Sequence, residues 1–381
     1  MPLFRVRQQG NRVELHGGSE VIWYEAAGID LPPLTDHGFA IWHLLAAAMH
    51  EGFDIELDGP VADDTLENAR LFARTWELWQ PSRFREVRIE RRGPAPGPRP
   101  AGRRPALAMF SAGVDSTTMF LHLGVRPERG TALTVHGMDY APDNEAGFAA
   151  LVDQSAAFLE RQNYDRITLR SNAMRFVDGH HSWGLALAGH AFLFADLFEK
   201  ALLAADERWE IDMMIHPWGL NHVSNRLLRG GGFVLDRIMD DLSRSQKLAI
   251  LAADPMALGA ISFCKRRDLR PRNCGVCQKC VRTKAMFLGM TGCIPDIFID
   301  RRLTPPLVRA AFDESPVTAA NLHELFIRTR GLGPAHEVPG LAAAVARHGR
   351  RSRLRERLAQ GLKGIIPRPW KRRRRFVREG R

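Results

Sequence analysis

The feature that most constrains the fold is an apolar segment that passes through a turn of small residues into a helical pattern. Residues 107–110 read Leu-Ala-Met-Phe, which predicts a short buried strand. Residues 111–116 read Ser-Ala-Gly-Val-Asp-Ser, which predicts a tight turn, and residues 117–123 predict a helix. A turn between a strand and a helix presents free backbone N–H groups where the helix dipole adds positive charge. The sequence therefore predicts a phosphate-binding turn.

The side chains of this turn suit a nucleotide. Ser111, Ser116 and Thr117 add hydroxyl donors. Asp115 alone would repel a phosphate, so we expect it to bind Mg²⁺ or water, or to clamp the loop. The turn lacks the Gly-Lys-Ser/Thr ending of a Walker loop, which disfavours a kinase or a motor protein. The predicted ATP-binding set at the turn is Ser111, Ala112, Gly113, Val114, Asp115, Ser116 and Thr117.

Length and composition indicate a globular protein of two or three domains. The chain has 381 residues, of which 45% are hydrophobic. No apolar run approaches the ~18 residues of a membrane-spanning helix, and the N-terminus lacks the apolar core of a secretory signal. We therefore expect a cytoplasmic protein.

The positive charge of the chain is concentrated at its C-terminus. Residues 347–381 hold fifteen Lys or Arg and two Glu, a net charge of +13, so the remaining residues contribute −2 to the total of +11. A near-neutral body does not favour a uniformly basic surface for nucleic acid. In the tail, basic residues alternate with apolar ones, which suits an anionic surface such as lipid headgroups or RNA. A disordered solubilising tail remains the alternative.

The order of strand and helix patterns predicts an α/β protein with a Rossmann-like parallel sheet and helices on both faces. Residues 107–110, 131–136, 166–169 and 211–216 are expected to be strands, and residues 117–124, 144–162 and 183–203 to be helices. The predicted organisation is a small α+β domain at 1–92, a Pro- and Gly-rich linker at 93–105, the nucleotide domain at 106–262, a zinc lobe at 263–295, a helical region at 296–346 and the basic tail at 347–381.

Four of the five cysteines fall within seventeen residues. The spacing of Cys264, Cys274, Cys277 and Cys280 allows turns to wrap one tetrahedral ion, and a closed set of four thiolates is typical of structural zinc. Disulfides and an iron–sulfur cluster are the alternatives, and an intracellular location argues against disulfides. We expect Cys293, which stands apart, to be a buried small hydrophobic residue.

The turn resembles the pyrophosphate loop of the ATP pyrophosphatase superfamily, Ser-Gly-Gly-x-Asp-Ser, with Ala112 in place of the first Gly. Together with the downstream Cys-x₉-Cys-x₂-Cys-x₂-Cys pattern, it resembles the 7-cyano-7-deazaguanine synthase family over residues 106–295. The resemblance implies an adenine nucleotide alpha hydrolase-like fold, ATP and Mg²⁺ as ligands, and a zinc-bearing C-terminal lobe. It also implies that the end of the second strand, at His136 and Gly137, lies beside the adenosine. Residues 1–92 and the tail fall outside it, which indicates a paralogue.

Other polar residues are candidates for the substrate and for catalysis. His216, Trp218, Asn221 and His222 share one loop with mixed chemistry, which suits substrate recognition; a surface loop around a packed Trp218 is the alternative. Arg244 and Lys247 can stabilise departing pyrophosphate, although a solvated helix face is the commoner explanation. Arg282 and Lys284 carry the same ambiguity.

These predictions lead to an ATP-dependent ligase that adenylates a small carboxylate or amide, after which ammonia or an amine displaces AMP. Asp115, Arg244 and Lys247 are its predicted catalytic residues. An RNA-modifying ATP pyrophosphatase and a non-catalytic nucleotide-binding protein are the alternatives. The sequence leaves the small-molecule substrate and a homodimeric state open.

Overall fold

The computed structural model describes residues 2–17, 20–176, 179–214 and 218–350. The predicted substrate residue His216 and the basic tail beyond residue 350 lie outside these ranges. Across the described ranges, no helix combines the length and the apolar character that crossing a membrane requires.

The N-terminal part of the chain contributes strands whose side chains alternate between the core and the surface. Val13 and Leu15 are buried along one strand, and Ile22, Tyr24 and Ala26 along the next, as period-two alternation demands. The elements are β1 (Leu3–Gln9), β2 (Arg12–Gly17), β3 (Glu20–Ala27), α1 (Gly38–Glu51), β4 (Ile55–Asp58), α2 (Asp63–Trp79) and β5 (Ile89–Arg92).

The central part of the chain alternates strands and helices. The Asn144 side chain accepts a hydrogen bond from the Gly147 N–H and so caps the helix that follows the second of these strands. The elements are β6 (Leu107–Met109), α3 (Val114–Leu123), β7 (Gly130–His136), α4 (Glu145–Arg161), β8 (Tyr164–Ser171), α5 (Gly179–Phe192), β9 (Ala201–Ala204), α6 (Trp209–Met214), β10 (Arg229–Gly230) and β11 (Phe233–Ile238).

The C-terminal part is helical. Its elements are α7 (Arg244–Ala252), α8 (Pro255–Ala260), α9 (Gln278–Thr291), α10 (Pro305–Glu314) and α11 (Pro316–Thr329), and a further helix covers 341–350. Helix α9 packs against α7, α10 and α11, so it connects the helical region to the elements around the sheet.

The eleven strands of the described residues form one mixed sheet, in the order β10-β11-β9-β6-β7-β8-β3-β2-β1-β4-β5. Strands β11, β9, β6, β7 and β8 are parallel, as predicted for this part of the chain. The sheet as a whole is mixed, because β3 pairs antiparallel with β8 and β2 lies antiparallel to both of its neighbours. The strands of residues 1–92 therefore extend the central sheet and do not form a sheet of their own.

Helices cover both faces of this sheet. Along β6, Leu107 and Met109 belong to a core with α1, α2 and α5, whereas Ala108 belongs to a second core with α3, α4 and α9. This alternation is the reason that the strand reads as a continuous apolar run, since each of its faces is buried. The structure is therefore an α/β fold with three layers.

Two sequence predictions about central elements are wrong. The helix expected over 183–203 ends at Phe192, and Ala201–Ala204 forms the buried strand β9. The strand expected over 211–216 is instead helix α6 for its described residues. Both errors have the same cause, because short apolar runs do not distinguish a buried strand from a buried helix. Strand β11 supplies the position that 211–216 was expected to fill.

The Pro- and Gly-rich segment at 93–105 is anchored by arginines. The Arg99 guanidinium donates to Asp36 over 3.1 Å and to Asp196 over 2.8 Å, and all three side chains are nearly inaccessible to solvent. Asp196 also accepts hydrogen bonds from the backbone and hydroxyl of Thr35. This ion-pair network joins the predicted linker to the elements on both sides of it.

Candidate functional site

The loop after β6 lies at the carboxyl end of the parallel strands. Ser111 is exposed, and Ala112 is buried with a φ of 52°. Gly113 is extended (φ −83°, ψ 172°), and α3 begins at Val114 without a side-chain cap. The first turn of an uncapped helix carries N–H groups that have no intrahelical partner. The chain therefore presents amide donors at this point, next to the positive end of the helix dipole.

The hydroxyl groups of the loop bond within the loop. The Oγ atoms of Ser111 and Ser116 lie 3.2 Å apart, and Ser116 Oγ donates to the Gly113 carbonyl over 3.3 Å. The Gly113 N–H donates to Ser111 Oγ over 3.3 Å. Thr117 is buried, and its Oγ1 has no hydrogen-bond partner. The loop is thus ordered by its own contacts and retains one unpaired buried hydroxyl.

Asp115, in the first turn of α3, lies between two cations of α7. Arg244 Nη1 donates to its Oδ2 over 2.9 Å, and Lys247 Nζ is 3.5 Å from its Oδ1. Ser243 forms a capping box at the start of α7, which places both cations in the first turn of that helix. Lys247 is completely buried and also donates to the Ala205 carbonyl. The two cations therefore contact different oxygens of Asp115, with Lys247 at Oδ1 and Arg244 at Oδ2.

Two acidic residues directly follow β9, the strand beside β6 in the sheet. Burial raises the pKa of Asp206 to about 7, with Arg237 acting in the opposite direction. Burial also raises the pKa of Glu207, and Arg282 and Arg244 oppose that rise. Asp115 contributes to both shifts as a like charge. These acids therefore share one electrostatic site with the loop.

Arg282, on α9, completes this group of charges. It is 7% exposed, and its Nε has no hydrogen-bond partner. Burial, followed by the charge of Arg244, lowers the pKa of Arg282 to about 10. An anion beside Arg282 would stabilise its charged form, which burial and Arg244 both disfavour. The arrangement is chemically suited to bind one.

Lys279 lies one turn before Arg282 on α9. Its side chain is open to solvent, yet partial desolvation by the surrounding protein lowers its pKa, and Arg244, Arg270 and Arg282 lower it further. Asp139 has the opposite effect on this pKa. Lys279 thus adds a solvent-facing cation beside the buried ones.

The end of β7 carries the pair predicted to lie beside adenosine. His136 is buried, stacks on Phe148 with ring centroids 4.3 Å apart, and contacts the Ala141 carbonyl through Nε2 over 2.8 Å. Burial lowers the pKa of His136. Gly137 has a φ of 133°, and a Cβ there would lie 2.0 Å from the Ser171 carbonyl. Gly137 is therefore required by the close approach of β8, and His136 supports the loop that follows it.

The predicted substrate loop is described from residue 218 onward. Asn221 is buried, and its amide bonds with the Trp218 carbonyl and with Ser224, so it shapes the loop. Trp218 is partly buried and packs against the core of α1, α2 and α5. His222 Nδ1 lies 3.1 Å from Asp212 Oδ2. Among Trp218, Asn221 and His222, it is the His222 side chain that contacts a carboxylate.

A chain of ion pairs leads from His222 toward the loop after β6. Asp212 also accepts from Arg237 Nη1 over 2.9 Å, and Arg237 Nη2 lies 3.7 Å from Asp206. Asp206 in turn interacts with Asp115. The predicted substrate loop and the predicted phosphate loop are therefore connected through charged side chains at one sheet edge.

The four clustered cysteines form a site that can hold a metal ion. Their Sγ atoms all lie within 4.8 Å of one another, with 3.9 Å between Cys264 and Cys277 and 3.8 Å between Cys274 and Cys280. Disulfide sulfurs would lie about 2.05 Å apart. A tetrahedral zinc ion with Zn–S bonds of about 2.3 Å separates its sulfurs by about 3.8 Å. The cluster thus has the dimensions and donor set of a zinc site.

The thiols accept backbone hydrogen bonds, as thiolate ligands in metal sites do. The Val276 and Cys277 N–H groups donate to Cys274 Sγ over 3.4 Å and 3.3 Å. Cys293 lies outside the cluster and is exposed, so the expectation that it is buried is wrong. The turn after Thr291 leads it to the surface.

The cysteine cluster is linked by hydrogen bonds to the loop after β6. The Ser262 N–H donates to the Ala112 carbonyl over 2.7 Å, just before the first cysteine. Arg270, between the first two cysteines, donates to the Cys264 carbonyl over 2.7 Å and to Asp139 Oδ1 over 2.9 Å. The segment that carries the cysteine cluster is therefore bonded both to the loop and to the end of β7. Lys284 instead donates to the carbonyls of residues 300 and 302, which is a structural contact.

Sequence reasoning missed four charged residues of this site. Asp206 and Glu207 follow β9, whose apolar residues were assigned to the end of a predicted helix. The sequence therefore did not indicate that these two acids lie at the sheet edge. Arg270 and Lys279 lie within the cysteine spacing. A cation between metal ligands is held rigidly, and this was the signal available for them.

In comparisons with known proteins, no protein family, curated protein or solved structure matches this chain. The assignment of a function therefore rests on the chemistry of the residues.

Proposed function

We propose that this protein is an ATP-dependent enzyme that adenylates a small carboxylate or amide and releases pyrophosphate, with ammonia or an amine then displacing AMP. The observation that carries the proposal is the loop at Ser111–Thr117, where an uncapped helix N-terminus meets Asp115 and the cations of α7 and α9. Such a site favours a polyphosphate because amide donors and guanidinium groups converge on one point. The resemblance to 7-cyano-7-deazaguanine synthases supports the same reaction class.

The strand order adds support for a Rossmann-like nucleotide-binding fold. In order along the chain, the parallel strands β6, β7, β8, β9 and β11 take the spatial order 3-2-1-4-5. That is the order of the doubly wound fold, in which ligands bind where the order reverses, between the first and fourth strands. Here that point lies between β6 and β9. It is flanked by the Ser111 loop on one side and by Asp206 and Glu207 on the other.

The proposed chemistry assigns separate roles to the charged residues. A substrate oxygen attacks the α-phosphorus of ATP, the bond from that phosphorus to the β-bridging oxygen breaks, and pyrophosphate leaves with the electron pair. Arg244 and Arg282 stabilise the charge that develops on the leaving group. Lys247 holds Asp115 in position, because its buried ammonium lies 3.5 Å from Oδ1 of that carboxylate.

Magnesium fits this site only if the nucleotide phosphates supply some of its ligands. Asp115 Oδ1 and Glu207 Oε2 are buried oxygens without hydrogen-bond partners, which suit a hard cation. Among the described residues, however, no three carboxylates lie close enough together to form a metal site of their own. Mg²⁺ commonly binds through one or two carboxylates together with substrate phosphates. The ion would shield phosphate charge there, with Asp115 or Glu207 as its protein ligand.

Zinc fits the cysteine cluster, and its proposed role is structural. Cys264, Cys274, Cys277 and Cys280 would occupy all four positions of a tetrahedral ion, which leaves none for a substrate. The bound ion would neutralise thiolate charge and hold the segment that carries Arg270, Lys279 and Arg282. The proposed function therefore depends on the metal for geometry and not for chemistry.

Titration calorimetry with ATP and Mg²⁺ tests the proposal without knowledge of the acceptor. We expect the wild-type protein to bind ATP and the Asp115→Ala variant to lose that binding. Asp165→Ala is the matched control, because Asp165 forms an exposed ion pair with Arg129 away from the loop. Pyrophosphate release with a candidate acid then reports turnover. Absence of ATP binding in the wild type, or unchanged binding in Asp115→Ala, would overturn the proposal.

One observation favours a second candidate, a nucleotide-binding protein without catalysis. Ala112 has a positive φ, a conformation that costs Ala about 1 kcal/mol or more relative to Gly. Asp115 is already neutralised by Arg244 and Lys247. ATP binding without pyrophosphate release across a panel of carboxylates and amides would favour this second candidate.

A further inference from the structure

A cavity of about 600 Å³ lies in the N-terminal part of the molecule, away from the loop after β6. Its walls come from β1–β3, α1, α2, α5 and the turn after β8, and most of its lining is apolar. Trp76, Phe84 and His181 form an aromatic corner in which neighbouring ring centroids are 5.3–5.8 Å apart. Leu15 and Ile22 line it from the sheet. A cavity of this size and lining is typical of sites for small organic molecules.

Part of the cavity lining lies at the same sheet edge as the proposed nucleotide site. Strand β3 runs antiparallel to β8, so its first residues lie beside the end of β8, and β2 ends beside them. Gly17, Glu20 and Ile22, which line the cavity, therefore lie at the carboxyl edge of the parallel strands. Only β7 separates β8 from β6, so the axes of β8 and β6 lie about 10 Å apart, and β3 and β2 lie one and two strands beyond β8.

The rim of the cavity nearest the loop carries a cation. Arg175 is exposed, lines the cavity and follows β8, which lies nearer to β6 in the sheet than the lining strands β1–β3 do. His50 and Glu51 lie at the other end of the rim, where α1 ends, and Glu20 lies at the start of β3. The interior between them is aromatic and aliphatic. A molecule with an apolar body and one anionic end would match the apolar interior together with the guanidinium of Arg175.

We propose that this cavity binds the apolar body of a carboxylic acid, whose carboxylate is held at Arg175 and is the group adenylated at the loop after β6. The binding step stands by itself. The adenylation step rests on the proposed function, because it names the substrate class of that reaction. The cavity wall excludes water from the apolar body, and the guanidinium of Arg175 supplies a bidentate partner for the carboxylate.

Calorimetry on the full-length protein without ATP tests the binding step. The probes are decanoate and 2-naphthoate, each compared with its primary amide and with decylamine. We expect both carboxylates to bind and decylamine to bind at least about tenfold more weakly. Arg175→Gln should weaken carboxylate binding about tenfold and leave the amides unchanged. Tighter binding of the amine, or no binding of either carboxylate at millimolar concentration, would overturn the inference.

Cavity-filling variants locate the site. Ala47 is half-buried on α1 and lines the cavity, so Ala47→Trp should abolish carboxylate binding, and the milder Ala47→Leu should weaken it. Both variants should retain wild-type affinity for ATP, which also reports a folded protein. Unchanged carboxylate affinity in Ala47→Trp would show that the probes bind elsewhere and would refute the assignment.

The same measurements distinguish failure of the cavity from failure of the proposed function. Carboxylate binding that Ala47→Trp blocks, in a protein that does not bind ATP, would retain the cavity as a site and remove the adenylation step. ATP binding without carboxylate binding would remove the cavity and leave the proposed function intact. If both bind, pyrophosphate release stimulated by decanoate or 2-naphthoate is the expected result, and its absence would reject apolar acids as the substrate class.

Discussion

The cysteine centre and the loop after β6 are neighbours, but they differ in how their charges are neutralised. Four thiolates at the cysteine centre would place like charges within 4.8 Å of one another, and a bound cation would neutralise them. Around the loop, Asp115 already has Arg244 and Lys247 as partners, and Glu207 has a hydrogen bond from Asn321. The cysteine centre would therefore need a bound cation to neutralise its charges, whereas the charges around the loop are paired by other side chains of the protein.

This difference separates stability from binding in the two sites. Removing a bound ion from the cysteine centre would reduce the folding free energy directly, because metal binding and folding are coupled in such sites. Removing one charge from the loop site leaves another buried charge unpaired, which costs stability for a different reason. Substitutions in the two sites should therefore differ in size and in their dependence on metal and pH.

The largest effect is expected from the cysteine centre. Cys280→Ser should lower zinc content to near zero and reduce the free energy of unfolding by about 5 kcal/mol or more. The reason is that the remaining three thiols cannot close a tetrahedral site in a buried position. Elemental analysis and urea unfolding measure the two quantities, and chelation of the wild type should reproduce the loss.

Cys293→Ser is the control for this experiment. Cys293 is exposed and outside the cluster, so its replacement should change neither zinc content nor stability beyond about 0.5 kcal/mol. Equal metal content in wild type and Cys280→Ser would show that the cluster does not hold the ion.

The next largest effect is expected at Asp115. Asp115→Asn leaves Arg244 and Lys247 without a counter-charge in a largely buried position, which should cost about 2–4 kcal/mol of stability. Asp165→Asn, which breaks an exposed pair with Arg129, should cost less than about 1 kcal/mol. Urea unfolding of both variants gives the comparison. Similar losses in the two would mean that the Asp115 network contributes no more than a surface pair.

A smaller, pH-dependent effect is expected at Asp206. Its pKa is about 7 in the fold and 3.8 in its ordinary state, so the folded protein binds the extra proton between these values. The stabilisation from that proton is complete below pH 3.8 and is lost as pH rises through 7. Asp206→Asn keeps the side chain neutral, so its stability relative to wild type should rise by on the order of 2 kcal/mol from pH 5 to pH 8.

Urea unfolding of both proteins at several pH values measures this difference. Asp240→Asn, which removes a carboxylate shortly after β11, serves as the control substitution. A difference between Asp206→Asn and wild type that stays constant with pH would mean that Asp206 ionises normally in the fold.

The contrast between the two sites also explains what the sequence could predict. The metal ligands lie within seventeen residues, so their spacing alone indicates one tetrahedral site. The loop at Ser111–Thr117 is equally local, and its placement after a strand and before a helix is confirmed. Features that depend on a single stretch of chain are visible in its pattern of residues.

The rest of the loop site depends on long-range pairing, which a single sequence does not reveal. Arg244 reaches Asp115 across 129 positions, and Asn321 reaches Glu207 across 114. Strand β9, which carries Glu207 to the site, is a short apolar run that is indistinguishable from the end of a helix. The pairing of β3 with β8, which extends the sheet, likewise had no local signal.

The smallest change in stability is expected at Arg282, where binding and folding should separate most clearly. Arg282 is buried, its Nε has no partner, and its pKa is lowered to about 10 by burial and by Arg244. Arg282→Met retains the length of the side chain and removes an unfavourable buried charge, so stability should change by less than about 1 kcal/mol. The affinity for ATP should nevertheless fall about tenfold, because one of the cations facing the phosphates is lost. Urea unfolding and ATP calorimetry on the same preparation measure both. A loss of several kcal/mol with unchanged ATP affinity would instead make Arg282 a structural partner of Glu207, and the loop site would then resemble the cysteine centre in serving the fold first.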